Sequence, residues 1–353
     1  MKGLCLQAGL QLTNNPEIAD LLVINTCIVK EPTEKKIERR LQDLTKKYPQ
    51  KKIIVAGCMA DVMYKKFLNK KNIYLLSNKN IKQIALLIKD IEQNKPTKKF
   101  LERHPEVKLC LPKIPLRKNV GITQISEGCL GNCSFCIVRL AKGKLFSYPQ
   151  EEIIKNIEND LKSCKEIWIT SQDNASYGLP EKRKLPELMS RILKLKGKFK
   201  VRLGMMNPEN VLPILPELIE IYKNEKMTKF LHLPLQSGSN KILKLMRRKY
   251  TIEDFLEIVK NFRKEIPDLF LSTDIIVGFP GETEEDFLAS LDAIKKIKPQ
   301  QLNISRFWVR KGTEAEKMEQ LPPEIVKNRI KRLTNLYKKI KSNFSHLLPR
   351  LLK

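Results

Sequence analysis

Three of the chain's eight cysteines fall within eight residues, in the stretch Ser126-Glu127-Gly128-Cys129-Leu130-Gly131-Asn132-Cys133-Ser134-Phe135-Cys136. Thiolates at this C-x3-C-x2-C spacing can take three corners of a cube-shaped [4Fe–4S] cluster from one short loop. The fourth iron then stays open to a small molecule. Gly128 and Gly131 let the loop bend closely around such a cluster. A zinc site more often reads as paired C-x2-C groups with a second pair downstream. A chance grouping of buried structural cysteines is the bland alternative.

The loop resembles that of radical S-adenosylmethionine (SAM) enzymes. There the open iron is chelated by SAM, and an electron from the cluster cleaves the sulfonium to give a 5′-deoxyadenosyl radical. Gly128-Cys129-Leu130-Gly131-Asn132-Cys133, followed by Ile137-Val138-Arg139-Leu140-Ala141-Lys142-Gly143-Lys144 and Ser147-Tyr148-Pro149, resembles the methylthiotransferase family. Within that family it is most similar to the archaeal and eukaryotic branch that modifies threonylcarbamoyladenosine in tRNA.

These residues must be positioned by a chain of 353 residues, long enough for two domains with cores of their own. Hydrophobic residues make up 42%, with no apolar run of membrane-spanning length, so a soluble protein with no membrane partner is expected. No signal-peptide pattern opens the chain, and free cysteines beside a cluster motif suit a reducing cytoplasm. Sixty-seven Lys and Arg against 39 Asp and Glu leave a net charge of +28. That balance favours a polyanion such as RNA as partner, with salt-dependent binding. A lysine-biased composition accounts for part of it.

Residues 1–94 alternate apolar runs (Leu21–Asn25, Lys52–Ala56, Ile73–Leu76) with helical periodicity at 33–48, 59–70 and 80–93. Continuous apolar strands between helices imply a parallel sheet covered on both faces, whose ligands gather beyond the strands' carboxyl ends. Cys27 follows the first run and Cys58 the second, which favours shared cluster ligation over two small buried hydrophobes. Ala19-Asp20-Leu21-Leu22-Val23-Ile24-Asn25-Thr26-Cys27 and Ile53-Ile54-Val55-Ala56-Gly57-Cys58-Met59 are similar to the family's amino-terminal domain. The resemblance implies a flavodoxin- or Rossmann-like fold there, with a second [4Fe–4S] cluster as sulfur source. Cys27 and Cys58 match the second and third of its ligands. The first ligand, with the strand it ends, has no match in this sequence. Cys5, among Leu4, Leu6, Ala8 and Leu10, reads as a packing residue.

Residues 95–119 hold four prolines (Pro96, Pro105, Pro112, Pro115) with weak periodicity and read as a linker; His104 and Cys110 within it have no partner at metal-ligand spacing. From 120 to 318 strand runs at Gly121–Ile125, Ile167–Ser171, Lys200–Leu203, Phe230–Leu235, Leu269–Val277 and Gln301–Phe307 alternate with helical stretches. Six units match the partial (β/α)6 barrel that the resemblance implies, with active groups at strand carboxyl ends. Polar residues at those ends, Gln172, Asp173, Arg202, Gln236 and Asp274, are the candidates for holding SAM's ribose, carboxylate and amine. Asp173 can alternatively cap a turn, and Arg202 can pair with an acid. Gly278 and Gly281 can simply shape a turn, and His232 reads as a core histidine or an acid. Met205 and Met206 read as pocket wall, and Cys164 as inert. No side chain is singled out as a catalytic acid or base.

Residues 319–353 form a basic helix, expected from Pro323 to about Leu347. In the family this helix leads to a small RNA-gripping β-barrel, the TRAM domain, for which no strand-rich tail follows here. The resemblance implies conversion of N6-threonylcarbamoyladenosine at position 37 of tRNA to its 2-methylthio derivative, with SAM as cofactor. A cytoplasmic enzyme is implied, with the tRNA anticodon loop, an electron donor and a sulfur source as partners. Alternatives are an isopentenyladenosine tRNA or ribosomal-protein substrate, a radical enzyme without sulfur insertion, or an RNA-binding remnant.

Overall fold

In the computed structural model, which describes residues 1–29, 31–95, 99–101, 104–115 and 117–342, the chain divides into two units. One comprises Met1–Lys118, Glu127–Cys129 and Ile137–Tyr148; the other comprises Asn119–Ser126, Leu130–Cys136 and Pro149–Lys353.

In the first unit, after helix α1 (Lys2–Gln7), strands β1 (Leu21–Thr26), β2 (Lys52–Gly57), β3 (Ile73–Leu76) and β4 (Lys99–Phe100) pair in that order as one parallel sheet. Between them run α2 (Glu31–Lys47), α3 (Cys58–Val62) and α4 (Ile84–Glu92). Alternate residues of β2 feed opposite faces, as a doubly covered strand requires. Val55 packs with Leu41, Met59 and Leu75, whereas Ile54 and Ala56 pack with Leu76, Leu87 and Ile91. Helix α2 places Glu31 and Glu34 in its first turn and Lys46 and Lys47 in its last, the order its dipole favours. Cys5 is 6% exposed within the second of these clusters, the packing role expected of it.

Two expectations change here. The helix expected over 59–70 is only α3, followed by a 3-10 turn at Tyr64–Lys66. Beyond it, the lysines around Phe67 offer no apolar stripe to bury, and Asn72 takes a left-handed φ of 66°. Of the stretch 95–119, read as a linker, the described residues up to Lys118 belong to the first unit. It supplies β4, buries Leu109, and runs so near α1 that a Cβ on Gly3 would lie 2.1 Å from the Pro112 carbonyl oxygen. Pro96 lies outside the described residues.

The short strands β5 (Val120–Gln124) and β6 (Ser126–Glu127) precede α5 (Val138–Lys142) and β7 (Phe146–Ser147), the last pairing with β6. In the second unit, β5 is followed by α6 (Gln150–Leu161), β8 (Glu166–Thr170), α7 (Leu185–Leu193), β9 (Lys200–Leu203), α8 (Pro208–Val211) and α9 (Leu215–Lys223). Then come β10 (Phe230–His232), α10 (Asn240–Leu245), α11 (Ile252–Glu265), β11 (Phe270–Val277), α12 (Glu284–Ile297), β12 (Gln301–Arg306) and α13 (Pro323–Ser342). The pairings β5–β8–β9 and β10–β11–β12 are all parallel. Thr228 N–H to Val201 O at 2.8 Å and Met206 N–H to His232 O at 3.0 Å link the two sets. Every one of the six expected strands is present, in chain order, as a partial barrel. Capping boxes start α11 (Thr251 with Asp254) and α12 (Thr283 with Asp286).

Helix α13 docks on the second unit through Val326, Arg329 and Leu333, leaving Lys327, Lys331, Lys338 and Lys339 exposed. Its expected end near residue 347 lies outside the described residues. Gly278 has φ 79°, and a Cβ there would sit 2.5 Å from a Val326 methyl, so the approach needs glycine. The Glu282 carboxylate, 1% exposed, accepts from Gly278 N–H at 2.9 Å and from Arg329 Nη1 at 2.8 Å. Removing one partner of a buried pair leaves the other charge unanswered. Arg329→Ala is therefore expected to cost about 3–5 kcal/mol, read as a shift in the urea midpoint.

Candidate active site

Cys133 and Cys136, which belong to the second unit, are held by the residues between them. Ser134, 3% exposed, donates its N–H to Met246 O (3.2 Å) and its hydroxyl to Leu245 O (2.7 Å), while its carbonyl accepts from Ala315 N–H (2.9 Å). Phe135 meets Phe279 edge to face at 6.2 Å, and Phe279 meets Phe307 at 5.3 Å. Cys136 N–H turns back onto Cys133 O at 3.1 Å. With Ser134 and Phe135 anchored, the flanking Cys133 and Cys136 stay half-buried and reachable. Cys129, also half-buried, donates its N–H to Gly143 O at 3.3 Å. Next to it Gly128 takes φ 83°, and a Cβ would lie 2.0 Å from Lys144 O, so only glycine fits that bend.

The donor set suits an iron–sulfur cluster. None of the eight cysteines is in a disulfide, and the three of the loop are half-buried soft donors on one tight bend. Among the described residues no three Cys, His, Asp or Glu side chains converge on a single-ion site. A cube needs its thiolates spread over separate corners.

Neighbouring strands bring His232 and Asp274 together. His232 Nε2 lies 2.6 Å from Asp274 Oδ2, and Asn303 Nδ2 donates to Asp274 Oδ1 at 3.0 Å. These three side chains come from β10, β11 and β12, which fixes the Asp274 carboxylate from both sides. Arg202, on β9, lies over two rings, 4.7 Å from the Trp168 centroid and 3.9 Å from that of Phe230. Gln236 takes a left-handed φ of 70°, held by bonds from its N–H to Asp274 O (2.8 Å) and from Ile276 N–H to its carbonyl (2.9 Å). Backbone strain of this kind persists only where the surroundings hold it. Gln172 stands half-buried just past β8.

Asp173 turns away from this role. It is 2% exposed, and its carboxylate accepts from Ala175 N–H (3.1 Å), Asn207 N–H (2.9 Å) and Asn210 Nδ2 (2.7 Å). It caps a short 3-10 turn and pins the loop after β9. Burial pushes its pKa up to about 6, with the Asn207 and Asn210 bonds and the Arg248 charge pulling the other way.

Arg248 escaped the sequence reading. It donates from Nη1 to Cys133 Sγ at 3.2 Å, from Nε to Tyr250 Oη at 3.2 Å, and from Nη2 to Asn207 Oδ1. No local pattern marks a residue 115 positions from its partner. Asn303 did carry a signal: Gln301, Asn303 and Ser305 alternate along β12, so they share one half-buried face of the strand.

In the first unit, Thr26 of β1 stands opposite Gly57 of β2, so Cys27 and Cys58 emerge at neighbouring carboxyl ends. Thr26 Oγ1 bonds Ala56 O at 2.7 Å and accepts from Met59 N–H at 3.1 Å, closing that edge. Asn78, just past β3, donates to Cys58 Sγ at 3.0 Å. Burial raises the Cys58 thiol pKa, with Lys142 and the Asn78 bond opposing. Lys142 belongs to the Ala-Lys-Gly-Lys run and also grips the buried Glu127 carboxylate at 2.8 Å, with Lys108 on its other oxygen. Burial would raise the Glu127 pKa, but the two ammonium groups outweigh it and hold the carboxyl low. Both the Cys27–Cys58 edge and its flanking cation are thus built from separate sequence segments.

Residues 123–294 match the family model described as the radical SAM superfamily, and residues 1–76 match that of uncharacterized protein family UPF0004. A protein of Pyrococcus horikoshii described as a probable threonylcarbamoyladenosine tRNA methylthiotransferase is 42% identical, over 93% of this chain and 77% of its own. A Methanocaldococcus jannaschii protein of the same description is 40% identical over 94% and 77%. The threonylcarbamoyladenosine tRNA methylthiotransferase of Danio rerio is 33% identical over 96% and 62%. The solved radical SAM methyltransferase TsrM from Kitasatospora setae superposes with TM-score 0.61 at 13% identity, over 86% of this chain and 64% of that one, a likeness of fold. With the cysteine loop and the six-stranded partial barrel, these relatives show that the chain belongs to the radical SAM family of threonylcarbamoyladenosine tRNA methylthiotransferases.

Proposed function

We propose that this enzyme replaces the C2 hydrogen of N6-threonylcarbamoyladenosine, at position 37 of tRNA, by a methylthio group. The observation that carries the reading is the Cys129, Cys133 and Cys136 loop on a chain 42% identical to a relative of that description. An aromatic C–H resists acid–base side chains, so a cofactor must carry the hard step. When bound, a [4Fe–4S] cluster on these three cysteines and SAM supply a carbon-centred radical that removes such a hydrogen. Cys27 and Cys58 offer thiolates for a second cluster at the sheet edge. An electron donor and a sulfur source complete the set of partners, in a reducing cytoplasm.

The chain's own groups orient the reactants. Arg202, fixed over Trp168 and Phe230, presents a planar cation suited to a carboxylate. Asp274, immobilised between His232 and Asn303, presents an acceptor for an amine or ribose hydroxyl. Gln172 and Gln236 add amides at neighbouring strand ends. Asp173 holds the loop that carries Asn207. The excess of 67 basic over 39 acidic residues attracts the RNA backbone, and an unpaired anticodon-loop base enters a pocket at small unstacking cost.

Nucleoside mass spectrometry tests the reading. tRNA carrying threonylcarbamoyladenosine, incubated anaerobically with reconstituted enzyme, SAM, sulfide and dithionite, is expected to gain the 2-methylthio nucleoside. Gain of methylthio on isopentenyladenosine instead, or on no nucleoside, refutes it.

A further inference from the structure

We propose that Arg248 is a positioning residue that fixes the Cys133 corner of the cysteine loop and raises the reduction potential of the cluster held there. The proposal rests on the assignment of a cluster to this loop.

The geometry points to a guanidinium aimed on purpose. Helix α10 ends at Leu245, and Arg247 takes a left-handed φ of 57°, with Arg247 N–H on Lys244 O and Arg248 N–H on Leu243 O, both 2.9 Å. That reversal swings Arg248 back towards the loop. The same helix end holds Ser134, through the Leu245 and Met246 carbonyls. Three bonds from one turn of chain thus grip two consecutive loop residues, Cys133 and Ser134.

All three guanidinium nitrogens are committed. Nη2 reaches Asn207, whose N–H is held by Asp173; Nε reaches Tyr250, whose hydroxyl lies 2.8 Å from Leu235 O and 3.1 Å from Pro234 O. Arg248 therefore ties the Cys133 sulfur to the segments that follow β8, β9 and β10. These are the segments carrying Gln172 and Gln236, the candidates for SAM contact.

A neutral thiol is a poor reason to commit a half-buried cation to a sulfur contact. A thiolate is a good one, because a charge-assisted N–H bond is about twice as strong as a neutral one. Positive charge and N–H donation at a ligand sulfur stabilise the more negative, reduced state of an iron–sulfur centre. Loss of Arg248 should make reduction harder and slow SAM cleavage, with iron content preserved.

The test uses the full chain, reconstituted anaerobically, as wild type, Arg248→Gln and Arg248→Lys. Electron paramagnetic resonance is followed against applied potential. The signal of the loop's cluster is the one that SAM perturbs. The expected result is equal iron in the three proteins, a midpoint shifted to more negative potential in Arg248→Gln, and partial recovery in Arg248→Lys. An unshifted midpoint in Arg248→Gln overturns the proposal. If Arg248→Gln fails to retain iron, retention by Arg248→Lys supports a charge that holds Cys133, and loss from both overturns it. A wild-type protein with no SAM-perturbed signal refutes the cluster assignment itself.

Discussion

Changing Cys129, Cys133 and Cys136 together to alanine is expected to reduce 5′-deoxyadenosine formation from SAM to background and to lower reconstituted iron by about four atoms per chain. The fold should survive. The cysteines are half-buried, whereas the neighbours that anchor the loop, Ser134 and Phe135, are untouched. Substitutions at partly exposed positions away from the core usually cost little stability. A far-ultraviolet dichroism spectrum and urea midpoint close to wild type should therefore accompany the lost activity. This distinguishes chemistry from unfolding. Deoxyadenosine formed at the wild-type rate by the triple variant would refute the assignment of the loop.

The strands were legible because their apolar runs are continuous, and both parallel sheets follow from that pattern. Ile53–Ala56 reads as a doubly buried strand before any coordinate is known, and it is one. The weaker element at 59–70 was misread because a few apolar positions at helical spacing look periodic until one asks what they can bury. Beyond Met59 and Ala60 in α3, only Phe67 is buried there. The stretch 95–119 misled for the converse reason. Its prolines signal a break in periodicity, yet β4 needs only a two-residue ladder and Leu109 one apolar contact surface to join the unit.

The site was legible to the extent that its residues end strands. Arg202 stands near the end of β9, Asp274 lies in the second half of β11, and Gln236 follows β10, with its N–H on Asp274 O. Asp173 also follows a strand, but a carboxylate ringed by three donors of its own chain stabilises a loop rather than a ligand. The choice between those roles depends on where Asn207 and Asn210 fall, 34 and 37 residues away, which spacing does not encode. Arg248 and Asn78 share that property: each meets its cysteine only through tertiary structure. The lesson for related sequences is that thiolate ligands are visible as motifs, whereas the donors that tune them are not.

Changing Cys27 and Cys58 to alanine should separate the two halves of the reaction. Deoxyadenosine formation is expected to persist within a few-fold of wild type, because the residues assigned to SAM and the thiols at 133 and 136 belong to the second unit. Methylthio product should fall to background, because the sulfur would lack its thiolate-held site at the ends of β1 and β2. The substitutions remove the Asn78 bond to Cys58, a loss of about 1 kcal/mol. The neighbouring Thr26 bonds to Ala56 and Met59 keep the strand edge closed. Coupled measurement of deoxyadenosine and methylthio nucleoside from one anaerobic reaction gives the ratio directly. Methylthio product formed undiminished would place the sulfur elsewhere. Loss of both products together, in a protein with a native urea midpoint, would tie Cys27 and Cys58 to SAM cleavage and overturn the division of labour between the two cysteine groups.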